Sequence, residues 1–309
     1  MALAAESPPG LLQKAFEANL SRLIAGLFPE RMAAVILLHL DSGGVAASLG
    51  LPFFLESARP WGSLIKPFTA LAYLASHAAT ELPQAICPPA VNGREGEGCW
   101  YLPGHGALTF EQALAHSCNR YFHRLAQDIP PEDFLRTLVS FNIVEQEESL
   151  SMASLPDDQL HKAMTGYGRL PASLPIRMAH AYLVLFNRGL LFRSGQIDGP
   201  NRASRRIYLE PSAIAAIWRG MRLSSLEGTG RQARQGSFPI YTKTGTHSRK
   251  PGSHNPSHLE GWCVAVDTDV SAGVLALAYV YPGRGATEAA PLAGIALTTY
   301  RRWLAPQIQ

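Results

Sequence analysis

Three short segments carry residue types that can do chemistry together: Ser63-Leu64-Ile65-Lys66, Ser117-Cys118-Asn119 and Lys243-Thr244-Gly245-Thr246. A serine hydroxyl becomes a strong nucleophile only when a base takes its proton. An amine three residues further along a helix lies on the same face, where partial loss of water frees its lone pair. Pro60-Trp61-Gly62 interrupts regular structure just before Ser63 and helical residues follow, so Ser63 is expected on the first turn of a helix. Free backbone N–H groups and the positive end of the helix dipole favour a developing oxyanion there. The plainer reading of this segment alone is a serine cap followed by a solvated lysine.

In the second segment, the Ser117 hydroxyl can pass a proton between the lysine and a leaving amine, and the Asn119 amide can hold a peptide carbonyl. Taken alone it is equally a polar patch on a helix face. The third segment ends the short alternating run Ile240-Tyr241-Thr242, where Gly245 permits close approach by an extended substrate. The Lys243 ammonium and the hydroxyls of Thr244 and Thr246 can bind a carboxylate, and the N–H of Thr246 can complete an oxyanion hole with that of Ser63. As an isolated strand end it is an exposed polar edge. The chain has only five lysines against twenty-two arginines, yet two of the five fall in these segments. Taken together, the three segments point to acyl transfer through Ser63.

The elements that must position these groups follow from periodicity. Leu12, Ala15, Phe16, Leu20, Leu23, Ile24 and Leu27 recur at three- and four-residue steps, which predicts an amphipathic helix over 11–27. Residues 32–40 and 45–49 around the turn Asp41-Ser42-Gly43-Gly44 predict a hairpin. Residues 240–246, 261–267 and 273–281 predict three more strands, and 290–304 a closing helix. Helical periodicity over 67–78, 109–126, 131–141, 174–188 and 211–224 fills the middle. The expected fold is α+β: a five-stranded antiparallel sheet flanked by the N- and C-terminal helices, with an inserted all-helical lobe. Residues 1–10 read as a disordered or processed start, and 11–309 as one domain, with a sheet lobe of about 11–56 and 236–309 and a helical lobe of about 57–235.

Composition narrows the partners. A length of 309 residues with 47% hydrophobic content is ample for a core, and the net charge of +3 comes from scattered arginines with no aromatic-interleaved basic stripe, which argues against nucleic acid. No apolar run approaches the ~20 residues of a membrane helix. The start Ala2-Leu3-Ala4 reads either as the tail of a secretory signal or as a disordered segment. The four cysteines show no metal-ligand spacing. Cys87 and Cys99 bracket a Gly/Pro-rich stretch where a disulfide would suit an oxidising compartment, while Cys118 and Cys263 are expected as buried free thiols. His254 and His258 flank Pro256 in a loop, a poor metal pair.

The three segments in this order resemble the transpeptidase domain of penicillin-binding proteins, within the superfamily of DD-peptidases and serine β-lactamases. The likeness extends through Gly62 to Leu71, through Cys99-Trp100 with Gly104-His105-Gly106, and through Ala113-Leu114 to Phe122. It continues with Thr165-Gly166-Tyr167-Gly168, Leu174 to Ala179, Asn187-Arg188-Gly189 and Gly228-Thr229-Gly230. Read from the residues alone, the glycine turn at Gly166 serves structure rather than chemistry.

The resemblance implies that Ser63 attacks the carbonyl between the terminal D-alanines of a peptidoglycan stem peptide, with Lys66 as base, Ser117 as relay, Asn119 as clamp, and Lys243, Thr244 and Thr246 as carboxylate and oxyanion groups. The resemblance also implies that no metal or organic cofactor is required; β-lactam antibiotics and cell-wall synthesis proteins would be further partners, in a periplasmic or other extracytoplasmic setting. Larger relatives carry a membrane anchor and a pedestal or glycosyltransferase domain, whereas about 30 residues precede the first strand here. A D,D-carboxypeptidase, a β-lactamase or β-lactam sensor, and a catalytically silent scaffold are the competing readings. No Glu-x-x-Leu-Asn pattern follows Ser117, and Arg169 follows Tyr167-Gly168, which argues against rapid deacylation by a lactamase.

Overall fold

The computed structural model describes residues 9–77, 82–90, 98–167, 169–192, 203–250, 255–268 and 273–304. Residues 1–8 of the expected tail and His254 lie outside these, and Pro9 and Gly10 already belong to the first helix, Pro9–Leu27. The central sheet has five antiparallel strands in the order Val45–Leu49, Met32–His39, Val274–Tyr281, Leu259–Asp267 and Tyr241–Ser248. Both chain ends build it, and the segment carrying Lys243 is an edge strand.

Alternation along the strands sorts their side chains onto two faces. Val35, Leu37, Cys263, Ala265, Ala276 and Ala278 pack with Phe16, Leu20 and Ile24 of the first helix and with Leu292, Ala293, Ala296 and Leu297 of the last helix, Ala290–Leu304. Small alanines on this face let the helices approach closely. The opposite face, with Ile36, Leu38, Trp262, Val264, Leu275, Leu277 and Tyr279, shares one core with the helical lobe. Because helices cover both faces, Leu259–Asp267 is buried at every position. The α+β class, the antiparallel five-stranded sheet and its two flanking helices agree with the expectation.

The helical lobe differs in detail. The periodic run over 109–126 is two helices, Phe110–Ala115 and Asn119–Gln127, broken at Ser117. Helices at Leu51–Glu56, Gln146–Ala153 and Asp157–Thr165 were not anticipated; the first two are short, and none shows a long enough apolar repeat to stand out. Two-residue and three-residue strand pairs also appear, among them Ala85–Cys87 with Gly106–Leu108. His258 ends a 3-10 turn, Pro256–His258, that leads into the sheet.

Leu277 is fully buried on the face shared by sheet and helical lobe. Leu277→Ala should cost about 2–5 kcal/mol, from lost burial plus the cavity left behind. Urea unfolding monitored by circular dichroism measures this, and a loss under 1 kcal/mol, on the scale of an ordinary surface change, would show that the two lobes do not depend on this contact.

Candidate active site

Ser63 lies on a 3-10 turn, Gly62–Ile65, that runs directly into the helix Lys66–His77. The turn is anchored from several sides. The Trp61 indole N–H donates to Ser173 Oγ at 2.7 Å, the Tyr182 hydroxyl donates to the Leu64 carbonyl at 2.7 Å, and Thr69 Oγ1 donates to the Met164 carbonyl at 2.6 Å. Trp61, Tyr182 and Thr69 are fully buried, so each of these bonds forms out of water, where leaving either partner unpaired is costly. Ser63 itself is half-buried, and its hydroxyl has no side-chain hydrogen bond among the described residues.

Glycines allow the backbone to close around this turn. Gly62 has φ +53°, and a Cβ there would stand 3.4 Å from the Thr246 carbonyl oxygen, so the edge strand runs against the residue before Ser63. Gly166, with φ +73°, packs from the other side: a Cβ there would overlap the Gly62 carbonyl and stand 2.8 Å from the Ser63 nitrogen. This gives Gly166 a site-shaping role that the sequence reading had not assigned to it. The available signal was a glycine that ends a helix in the left-handed conformation, which by itself marks only a C-cap.

The helix break at Ser117 has a defined geometry. The N–H of Cys118 donates to the Ala113 carbonyl at 2.9 Å and that of Ser117 to the Leu114 carbonyl at 3.2 Å, the two bonds of a Schellman motif. The left-handed position of that motif, ordinarily glycine, is Ser117 at φ +53°. A β-carbon there is unfavourable by about 1–2 kcal/mol. The chain accepts that cost where the hydroxyl is needed. Cys118 then caps the next helix, whose first residue is Asn119.

Two lysines converge on this serine. Lys66 Nζ donates to Asn119 Oδ1 at 2.6 Å, to the Ser117 carbonyl at 2.8 Å and to Ser117 Oγ at 3.4 Å. Lys243 Nζ donates to Ser117 Oγ at 2.8 Å and to the Thr244 carbonyl at 2.8 Å. Both side chains are fully buried. Burial lowers Lys66 to about 8, partly opposed by Cys118 and Cys99. Burial, together with the charge of Lys66, holds Lys243 well below the ordinary lysine range. A hydroxyl that accepts from both amines still has its own O–H to donate, so Ser117 can relay a proton.

The remaining predicted residues are close by. Thr244 Oγ1 donates to Thr229 Oγ1 at 2.6 Å, and the Thr229 N–H is held by the Ala115 carbonyl at 3.1 Å, tying Gly228-Thr229-Gly230 to the site. A Cβ on Gly245 would stand 3.2 Å from the Trp61 carbonyl, so glycine permits the strand to pass the turn that carries Ser63. Thr246 is exposed, and its hydroxyl accepts the N–H of Gly285 at 3.0 Å, leaving its main chain beside Gly62.

The cysteine expectations need correction. Cys87 and Cys99 are free thiols, not a disulfide. Together with Cys118 and His105 they form one cluster, with all four potential ligand atoms within 4.8 Å of one another. Spacing along the chain does not reveal this cluster. Zinc signatures place ligand pairs on one turn, whereas here a hairpin and a helix junction bring single residues together. Cys118 and Cys263 are buried free thiols as expected.

Comparison with known proteins agrees with this geometry. The family profile for the penicillin binding protein transpeptidase domain matches residues 34–296. Penicillin-binding protein 1A from two strains of Clostridium botulinum is 27% identical over 212 residues, covering 62% of this chain and 24% of theirs. The chain thus spans about a quarter of the length of those relatives. Among solved structures, the transpeptidase domain of Burkholderia pseudomallei penicillin-binding protein 3 aligns over 99% of this chain and 98% of its own, with a TM-score of 0.77 at 15% identity. PBP2 of Pseudomonas aeruginosa aligns over 96% of this chain and 77% of its own, with a TM-score of 0.74 at 19% identity.

Two outcomes test the site. Gly166→Ala should destabilise the chain by about 1–3 kcal/mol and slow acylation by a β-lactam on the order of tenfold or more; thermal melts and labelling rates read the two effects, and a variant indistinguishable from the parent would remove Gly166 from the site. If the neutral amine of Lys66 is the base, acylation should be slow where that amine is protonated and rise with pH through a midpoint near about 8. A stopped-flow profile that stays flat across that value would exclude Lys66 as the titrating base.

Proposed function

The chain belongs to the penicillin-binding protein transpeptidase family, and from that premise we propose that it is a serine D,D-transpeptidase acting on the D-alanyl-D-alanine ends of peptidoglycan stem peptides. The observation that carries this reading is the convergence of Lys66, three residues after Ser63, and Lys243 on the Ser117 hydroxyl. Neither folding nor packing calls for two buried amines around one strained serine, whereas acyl transfer uses all of them.

In this reading Ser63 Oγ attacks the carbonyl between the two D-alanines while its proton passes to the neutral amine of Lys66. The carbonyl oxygen takes the negative charge, opposed by the N–H groups of Ser63 and Thr246. Lys243 and Thr244 receive the terminal carboxylate, and the Asn119 amide N–H groups receive a backbone carbonyl of the stem peptide. Collapse of the intermediate breaks the C–N bond, and the proton held by Lys66 returns through Ser117 to the departing D-alanine amine. An amine from a neighbouring stem then attacks the acyl-enzyme ester, regenerating Ser63 and forming the cross-link. Water in place of the amine would make the same steps a carboxypeptidase reaction.

A β-lactam amide would be opened by the same attack, with the leaving nitrogen kept tethered to the acyl group, so the adduct persists. The substrate places the proposed activity outside the cytoplasm. Among the described residues no helix is long and apolar enough to cross a membrane. Helicobacter pylori PBP2, which aligns over 94% of this chain at 17% identity with a TM-score of 0.71, has been solved in complex with MreC. By extension, cell-wall synthesis proteins are the partners proposed here.

Intact mass after incubation with benzylpenicillin tests the assignment. The parent should gain one drug mass that survives a chase of hours, and Ser63→Ala should gain none while melting at the same temperature. An adduct on the Ser63→Ala variant would overturn the nucleophile, and a brief adduct with continuous drug consumption would make the chain a β-lactamase.

A further inference from the structure

Four side chains that acyl transfer does not use meet just behind the active site. Cys87 ends the strand Ala85–Cys87, and His105 immediately precedes its partner strand, Gly106–Leu108. Cys99 lies on the chain between them, and Cys118 caps the helix Asn119–Gln127. Cys87, Cys99 and Cys118 are buried, at 1%, 5% and 0% exposure.

Two of the six separations match those of a coordination shell, and all four ligand atoms lie within 4.8 Å of one another. Cys99 Sγ lies 3.5 Å from His105 Nδ1 and 3.9 Å from Cys118 Sγ. Ligands placed tetrahedrally around zinc at ordinary Zn–S and Zn–N lengths stand about 3.6–3.8 Å apart along each edge. A disulfide would need its two sulfurs at about 2 Å. Each sulfur also faces a main-chain N–H: that of His105 for Cys87, of Tyr101 for Cys99, and of Tyr121 for Cys118, the last at 3.5 Å. Such donors favour thiolates and orient them.

We propose that Cys87, Cys99, Cys118 and His105, through Nδ1, hold one zinc ion in a closed tetrahedral site that clamps the Ser117-Cys118-Asn119 junction to the Ala85–Leu108 hairpin. Three soft sulfurs and an imidazole select zinc over magnesium or calcium. With four protein ligands no position is left for water or substrate, so the ion is structural. Loading converts three S–H bonds into Zn–S bonds and releases three protons to solvent. The rings of Trp100, Tyr101 and His116 cover the His105 side, with Tyr101 at 4.9 Å and His116 at 5.6 Å between ring centroids.

The placement explains why such a site would be useful. Cys118 sits between the relay serine and Asn119, whose Oδ1 receives Lys66. Ser117 occupies a left-handed position where serine is disfavoured. A metal bond to the next residue restricts the junction from relaxing toward a continuous helix, which would carry the hydroxyl away from both lysines.

Metal content of protein purified under reducing, chelator-free conditions tests this. Mass spectrometric elemental analysis should find one zinc per chain, lost in Cys99→Ser and His105→Ala and kept in Cys263→Ala, whose thiol lies across the sheet. Should the variants fail to fold, cobalt(II) added to metal-stripped parent protein should give thiolate charge-transfer and strong tetrahedral bands that saturate at one equivalent and vanish on adding zinc. Failure of the reduced, folded parent to bind either metal, or a non-reducing mass two protons lighter from a cystine among the three, would overturn the site. Stripping should also slow benzylpenicillin acylation severalfold, and an unchanged rate would overturn the clamp role. Metal stoichiometry is read whether or not Ser63 is acylated, so it is independent of the transpeptidase assignment.

Discussion

Two lysine amines held out of water against one serine hydroxyl are the constraint on which the rest of the structure depends. Lys66 and Lys243 come from different lobes, one from the helix behind Ser63 and one from the edge strand of the sheet. Burying either amine without partners would be strongly unfavourable, and burying both side by side adds repulsion. The fold meets this by supplying the Ser117 hydroxyl and carbonyl, the Asn119 amide and the Thr244 carbonyl as acceptors. The same crowding makes the protonated amines less favourable, which is the state change a general base needs.

Everything around the pair keeps these acceptors still. A Schellman turn ends one helix and a cysteine cap begins the next, so Ser117 is presented at a sharp junction instead of along a smooth helix face. Trp61, Thr69 and Tyr182 tie the nucleophile turn to separate parts of the helical lobe. Gly166 meets the Gly62 carbonyl at a distance that a β-carbon would prevent, Gly62 holds a left-handed φ, and a Cβ on Gly245 would stand only 3.2 Å from the Trp61 carbonyl. The rigidity is distributed, and the half-buried Ser63 hydroxyl is left open to an incoming carbonyl.

The amphipathic first helix was legible because one buried face imposes a simple period on the sequence, and the hairpin around Asp41 to Gly44 and the strands near the C-terminus because short apolar runs end at turn residues. The helix boundary at Ser117 was not legible, since residues 109–126 keep helical periodicity through the break; only the two Schellman bonds and a positive φ reveal it. Gly166 read only as a glycine turn because its neighbour, the Gly62 carbonyl, is more than a hundred residues away in sequence. The cysteines misled for the same reason: their spacing of twelve suggested a loop disulfide, while the hairpin register sets Cys87 opposite Gly106, next to His105, where Cys99 and Cys118 join them.

By itself, then, the sequence determined the fold class, the order of the three motifs and the residue types that can perform acyl transfer, because periodicity and local turn chemistry act over a few residues and leave a readable pattern. Only the tertiary structure decided that both lysines share one hydroxyl, that this hydroxyl sits on a left-handed residue, and that three cysteines and a histidine form one shell. Those are contacts between segments far apart in the chain, set by how the sheet and the helical lobe pack, and no local pattern records them.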